Sequence, residues 1–324
     1  MSWLITGGAG YIGAHVVETM RAAGERVVVL DDLSSGRAGR LPADVPLVRG
    51  SVLDRDLLDT ALAEHGVRGV VHLAAKKQVA ESVAEPLAYY RSNVHGLTVL
   101  LDAVVAAGVR EFVFSSSAAV YGTPETGTVT EDTPCRPLSP YGETKLAGEW
   151  LVRAAGRAHG IATACLRYFN VAGATRPELA DAGAANVVPM FFERIAAGRP
   201  PEIFGADYPT PDGTCVRDYV HVADLADAHL LAARHLTEAA PGDDLTVNVG
   251  TGRGASVREL AALVADVTGF AGPPRVADRR PGDPARVVAS VELARERLGF
   301  TARRGLPDMV SSAWEGWRRA HGGL

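Results

Sequence analysis

Three glycines at three-residue intervals, Gly7, Gly10 and Gly13, stand where an apolar run ends and an amphipathic one begins. The order Trp3–Thr6, then Gly7-Gly8-Ala9-Gly10-Tyr11-Ile12-Gly13, then a helical periodicity, requires a sharp turn from strand into helix. Such a turn brings backbone N–H groups close to a ligand at a helix N-terminus, where the dipole favours negative charge. Eighteen residues beyond Gly13, a second apolar run ends at Asp31. A carboxylate there can take both hydroxyls of an adenosine ribose and repels a 2′-phosphate, so the unit predicts a site for NAD rather than NADP.

The same alternation continues. Apolar runs at Trp3–Thr6, Val27–Leu30, Leu47–Arg49, Val70–Leu73, Phe112–Ser115 and Ala162–Tyr168 are separated by amphipathic segments. That pattern predicts an α/β fold with a doubly wound parallel sheet, a Rossmann domain, over residues 1–170. Beyond Tyr168 the rhythm breaks, and Pro189, Pro200, Pro201, Pro209 and Pro211 punctuate the chain. A smaller, irregular C-terminal lobe is expected over 171–216 and 251–324. Residues 217–250, with a helix at Asp224–Leu236 and a strand at Leu245–Val249, are expected to rejoin the first domain. A helix near Val257–Thr268, an arginine-rich loop at Arg279–Arg286 and a final amphipathic stretch complete the tail.

The chain holds three lysines against thirty arginines, and one of the three, Lys145, lies four residues after Tyr141. Ser139-Pro140 reads as a helix start and the helical pattern runs to about Ala158, so the phenol and the ammonium share a face in its first turns. Arg cannot lose its proton, whereas a compact Lys ammonium can sit beside a phenol and lower its pKa toward the working range. Tyr141 therefore reads as a base, Lys145 as its field. Ser115-Ser116-Ser117 follow a strand and fall at the carboxyl edge of the sheet, where such folds place their ligands. Ser117 is expected to bond the reacting oxygen. Arg217 and Arg280, in turn-rich segments, are candidate two-point clamps for phosphate.

Composition narrows the classes. A formal charge of -5 and a pI near 6.0 give no basic footprint for nucleic acid. Cys135, Cys165 and Cys215 are odd in number and far apart, which predicts neither disulfides nor a thiolate metal site and fits a cytoplasmic protein. The longest apolar stretch, Leu97 to Val109, is too short to span a bilayer and contains Asp102. The first residues read as a strand rather than a signal peptide. His221 and His229 have no metal-ligand spacing.

With these residues in view the chain resembles the extended short-chain dehydrogenase/reductase family, and within it the nucleotide-sugar 4-epimerases, nearly end to end. The resemblance rests on Thr6–Gly13, Asp31-Asp32-Leu33-Ser34, His72-Leu73-Ala74-Ala75, Ser115–Gly122, Tyr141–Lys145, Leu166-Arg167-Tyr168-Phe169-Asn170 and the segment Ile203–Leu225. It implies that Gly7, Gly10, Tyr11, Ile12, Gly13, Asp31 and Asp32 hold the adenosine diphosphate half of NAD. Leu73, Ala74, Lys77, Asn93, Ser115, Tyr141, Lys145 and Phe169 would continue that site toward the nicotinamide. For a UDP-sugar it implies Ser117, Tyr141, Asn170, Asn186, Phe204, Arg217, Tyr219, Arg280, Asp283 and Val287.

The implied reaction interconverts UDP-galactose and UDP-glucose: hydride leaves carbon 4 for retained NAD and returns to the other face, with Tyr141 as base. A homodimer packing the helix that follows Tyr141 is also implied. Three departures stand out. Gly50-Ser51 replaces an acid that often contacts adenine, the connection from Gly173 to Asn186 is shortened, and Val287 stands where a bulky tyrosine can restrict the hexose pocket. The last leaves 4-epimerisation of UDP-N-acetylglucosamine or UDP-glucuronate open, and a non-catalytic NAD-binding sensor is the alternative from another class. Dehydration of the sugar needs an Asp-Glu pair where this chain has Ala118 and Ala119.

Overall fold

Strands that are apolar without alternation must be covered on both faces, and the first two strands, β1 (Ser2–Thr6) and β2 (Val27–Asp31), are buried at every position. The other strands are β3 (Leu47–Arg49), β4 (Val67–His72), β5 (Glu111–Ser115), β6 (Thr128–Val129), β7 (Ala162–Tyr168), β8 (Asn170–Ala172), β9 (Glu202–Phe204), β10 (Val216–His221), β11 (Asp244–Val249), β12 (Gly254–Ser256), β13 (Arg275–Ala277) and β14 (Arg286–Ala289). The helices are α1 (Tyr11–Ala22), α2 (Arg55–Glu64), α3 (Val79–Ala84), α4 (Pro86–Tyr89), α5 (Gly96–Ala106), α6 (Pro140–His159), α7 (Val187–Ala196), α8 (Val222–Glu238), α9 (Val257–Thr268), α10 (Glu292–Leu298) and α11 (Leu306–Ala320). The computed structural model describes every residue except Ala182, Ala184, Ala185, Pro281, Gly323 and Leu324. Pro281 of the arginine-rich loop and three alanines of the connection to Asn186 thus lie outside the described residues.

Seven strands form a parallel sheet in the order β11-β7-β5-β4-β1-β2-β3. This is the doubly wound fold expected. Val16, Val17 and Met20 of α1, with Leu225 and Leu236 of α8, cover one face. Leu58 and Leu62 of α2, with Leu97 and Leu100 of α5 and Val152 of α6, cover the other. β4 begins at Val67, three residues before the run read from the sequence, because Gly69 interrupts the apolar pattern. The interruption has a cause: a Cβ on Gly69 would lie 2.5 Å from the Trp3 ring, which fills that space from β1.

The second lobe is built on a five-stranded sheet, β12-β10-β14-β6 with β8 paired to β10, and a two-stranded ribbon, β13-β9. Phe191, Phe192, Leu260, Val264, Met309 and Trp317 make its core. Residues 217–250 are divided between the two sheets. β10 pairs with β8, β12 and β14, and only α8 and β11 join the main sheet. The reason is Asp218, fully buried in β10 and accepting from the N–H groups of Thr251, Gly252 and Ala289. A buried carboxylate needs such donors, which an apolar sheet between helices does not supply. Among the described residues no helix is long and apolar enough to cross a membrane.

Candidate functional site

Strand order reverses at β1, whose neighbours are β2 on one side and β4 on the other, so a crevice opens at the carboxyl ends of β1 and β4. Gly7 turns there with φ +72°, and a Cβ on it would lie 2.7 Å from the Ala74 backbone nitrogen. A Cβ on Gly13 would lie 2.1 Å from the Gly7 carbonyl oxygen. The N-cap of α1 is Gly10, which has no side chain to satisfy the first-turn N–H groups of Tyr11, Ile12 and Gly13. The result is a backbone cradle fitted to an anion. At its edge Asp31 accepts from Ala9 N–H (2.9 Å) and Leu33 N–H (2.8 Å), one bond on each oxygen, which leaves acceptor capacity on both. Asp32 is exposed and caps Ser34. Leu33, at φ +60°, holds this corner in a conformation costly for a branched side chain.

Leu73 and Ala74 follow β4 beside the cradle, half-buried, and Lys77 is exposed in the same loop. Asn93 projects from a π-helical stretch, Tyr90–His95, a distortion common at functional sites. Its side chain braces that loop: Oδ1 accepts from Lys76 N–H (2.8 Å), and Nδ2 donates to the Lys76 carbonyl (3.0 Å) and to Thr144 Oγ1 (3.1 Å). In the position expected for an adenine contact, Ser51 Oγ accepts from Leu53 N–H instead.

Helix α6 starts as the sequence predicts. Ser139 is its N-cap, accepting from Gly142 N–H, Pro140 follows, and Gly160 closes the far end in the left-handed conformation. Tyr141 is thereby held in the first turn, 8 % exposed, and Lys145 one turn on, 4 % exposed. Lys145 Nζ donates to the Ser115 carbonyl at 2.8 Å and lies 6.0 Å from the centre of the Tyr141 ring. Burial brings the ammonium down to about 8. The phenol departs from expectation: burial pushes it above its ordinary value, and the Ser117 hydroxyl pulls it part of the way back. An ammonium turned to a carbonyl does not offset desolvation of a phenolate. Ser117 itself caps a short 3₁₀ turn, Ala118–Tyr121, accepting from Ala119 N–H.

Ser115 is buried, its hydroxyl 2.9 Å from His229 Nε2. His229 Nδ1 faces the Leu225 carbonyl at 2.8 Å, so Nδ1 carries the proton, Nε2 accepts, and burial holds the ring neutral with its pKa near 4. Phe169 packs into a small core with Val120, Tyr121 and Val287.

On the second lobe a cavity of about 330 Å³ is lined by Asn170, Phe204, Arg217, Tyr219, Arg280 and Asp283. Arg280 lies over the Phe204 ring, 3.8 Å from its centre, and Arg217 pairs with Asp283. The buried Tyr219 hydroxyl has no hydrogen-bond partner among the described residues. Asn186 and Val287, expected at this site, do not line the cavity. Asn186 donates to Asp181 at the start of α7, and Val287 turns into the Tyr121 and Phe169 core. Glu193, Arg194, Arg199 and Glu202 line it unforeseen. They carry no spacing signal, because α7 and β9 meet there only in the folded chain. Glu149, two turns beyond Tyr141 and fully buried, was also missed, although its i+8 spacing was there to read.

A profile of the NAD dependent epimerase/dehydratase family matches residues 3–250. The chain is 47 % identical over 321 residues to a UDP-glucose 4-epimerase of Azospirillum brasilense, covering 98 % of this chain and 92 % of the relative. It is 45 % identical over 324 residues to a UDP-glucose 4-epimerase of Streptomyces lividans, covering 98 % and 96 %. Its fold superimposes with a TM-score of 0.93, at 39 % identity and 99 % coverage of both chains, on the crystal structure of UDP-glucose-4-epimerase from Stenotrophomonas maltophila with bound NAD and formylated UDP-arabinopyranose. With a profile match over most of its length and relatives of this similarity, the chain belongs to the NAD dependent epimerase/dehydratase family.

Proposed function

We propose that the protein is an isomerase that interconverts UDP-glucose and UDP-galactose with NAD held throughout. The observation that carries this reading is the buried pair Tyr141 and Lys145, one helical turn apart, at the sheet edge shared with the glycine cradle. NAD fits that cradle, whose Gly7 and Gly13 positions have no room for a Cβ; when bound it supplies a hydride acceptor that can give the hydride back. The first-turn amides of α1 take the pyrophosphate, which Gly7 and Gly10 let approach the backbone, and Asp31 takes the ribose hydroxyls. Residues 1–170 with 222–250 form the cofactor half of the enzyme, and the remainder forms the sugar half.

Tyr141 removes the proton from the hydroxyl at carbon 4 and returns it after the 4-keto sugar has presented its other face. Its place in the first turn of α6 adds the helix dipole to the Lys145 ammonium, and both favour the phenolate. Ser117 steadies the reacting oxygen. Arg217 and Arg280 take the diphosphate, so Asp283 must yield its hold on Arg217 when substrate enters. The unpaired Tyr219 hydroxyl finds its partner on the same ligand.

The test is incubation of the purified protein with UDP-galactose while product and reduced-nicotinamide absorbance are followed. UDP-glucose formed without net reduction supports the reading, and binding without turnover sinks it in favour of a sensor. A second reading is 4-epimerisation of N-acetylated or uronic UDP-sugars. Comparable turnover of UDP-N-acetylglucosamine would support it.

We also assign the enzyme to the cytoplasm as a homodimer. Support for the dimer comes from Trp150 on α6 (61 % exposed) and Leu87 on α4 (77 % exposed), with Val83 and Tyr90 exposed nearby. Trp150→Glu is expected to halve the mass measured by light scattering.

A further inference from the structure

Glu149 is the most deeply buried carboxylate on the helix that carries Tyr141, and the reaction just described makes no use of it. It follows Lys145 by four residues and Tyr141 by eight, on the same helical face. Its Oε1 accepts from Ser116 Oγ at 2.6 Å and Arg167 Nε at 2.8 Å, and its Oε2 from Arg167 Nη2 at 2.7 Å and Arg153 Nη2 at 2.8 Å. Every acceptor site of the carboxylate is used. Burial alone would push this carboxyl up, but the Arg167 guanidinium, with Ser116 and Arg153, holds it below the usual range. Arg167 Nη1 continues to Tyr121 Oη at 3.0 Å, and Tyr121 donates to Asn248 Oδ1 at 2.6 Å. One network thus joins α6 to β5, β7, β11 and the turn that Ser117 caps.

Stability does not account for it. Buried ion pairs of this kind can be exchanged for apolar residues with little loss and sometimes a gain. Their placement is more informative. Ser116 stands between Ser115, whose carbonyl holds Lys145, and Ser117, beside the phenol. The contacts Ser115 to Lys145 and Ser116 to Glu149 are two rungs between the strand end and α6, one helical turn apart. Two rungs fix both the height and the rotation of a helix, where one would leave it free to pivot.

We propose that Glu149, through Ser116, is a positioning residue that sets Tyr141 and Lys145 against Ser117 for the proton transfer. This rests on the function assigned above. A shift of about 1 Å between reacting groups costs up to roughly 10²-fold in rate. Losing one rung while the ion pair keeps the fold intact is therefore expected to cost about 10-fold in kcat.

The cleanest probe is Ser116→Ala, which removes a rung and leaves Glu149 paired to both arginines. Expected are a kcat lowered about 10-fold, KM for UDP-galactose and bound NAD content within about twofold of wild type, and an acid limb of the kcat–pH profile displaced to higher pH. Ser116→Thr, which restores the hydroxyl, should recover most of the rate. Glu149→Gln, if it folds, should show the same split. A wild-type kcat in Ser116→Ala, or a fall in kcat accompanied by loss of NAD and a raised KM, overturns the proposal. A wild type inactive on every UDP-sugar overturns the function instead. In that event the tyrosinate absorbance of Tyr141, read as the difference from Tyr141→Phe, decides the inference: an unchanged titration in Ser116→Ala overturns it.

Discussion

Lys145 reaches across the sheet edge to donate to the carbonyl of Ser115, and so stands as a brace between α6 and β5 as well as a charge beside Tyr141. The ammonium is tied to the end of β5, two residues before Ser117, so the phenol, the cation and the hydroxyl form one rigid group. Rigidity of this sort is what lets fixed charge act on a transition state without reorganising.

Removal of the phenolic oxygen tests the base directly. Tyr141→Phe is expected to purify with a normal complement of NAD and to lose roughly 10²–10⁴ in kcat. Dinucleotide released by acid and quantified by chromatography, beside the epimerisation rate, checks both halves. A rate near that of wild type would remove Tyr141 from the mechanism.

Lys145 predicts a pH dependence whose sign follows from burial. Its pKa of about 8 in the folded protein lies below the 10.5 of an unburied lysine, so between those values the unfolded chain binds the proton more strongly. The cost of burying the ammonium is present below about 8 and relieved as pH climbs to 10.5. Denaturant titrations should therefore show wild type gaining stability over that range relative to Lys145→Met. The rate should move the other way, with kcat declining above about pH 8 as the ammonium is lost.

At the edge of the glycine cradle, Asp31→Ala removes the acceptor for two backbone N–H groups along with the proposed ribose contact. Purified Asp31→Ala should carry less NAD than wild type, and added NADP should restore activity better than it does in wild type. Unchanged cofactor content would count against the assignment.

Arg217 separates binding from chemistry. Charged hydrogen bonds contribute about 1.5–3 kcal/mol, so Arg217→Ala should raise KM for UDP-galactose roughly 10- to 100-fold with a smaller effect on kcat. Steady-state kinetics on the NAD-loaded enzyme check it, and a loss confined to kcat would contradict a clamp on the diphosphate.

Much of the main sheet was legible because its signals are local. Apolar runs marked β1, β2 and β7 almost to the residue, and Ser139-Pro140 marked the start of α6. β10 lies in the second sheet, and a short run with Arg217 and Asp218 in it gives no clue to which sheet will supply their partners. Resemblance pointed to Arg217, Arg280, Phe204 and Asp283, which line one cavity of the second lobe, but gave no sign that Val287 turns into the Tyr121 core.

By itself the amino-acid order determined the doubly wound sheet, the glycine turn at Gly7–Gly13 and the one-turn spacing of Tyr141 and Lys145, all set by neighbours within a few residues of one another. Only the folded chain decided that Lys145 answers to Ser115, that Glu149 takes Arg167 from 18 residues away, and that Asp218 is satisfied by Ala289 from 71. The reason is that a buried polar group accepts whatever donor the packing brings within about 3 Å. Periodicity shows which side of an element faces inward, not which side chain waits there.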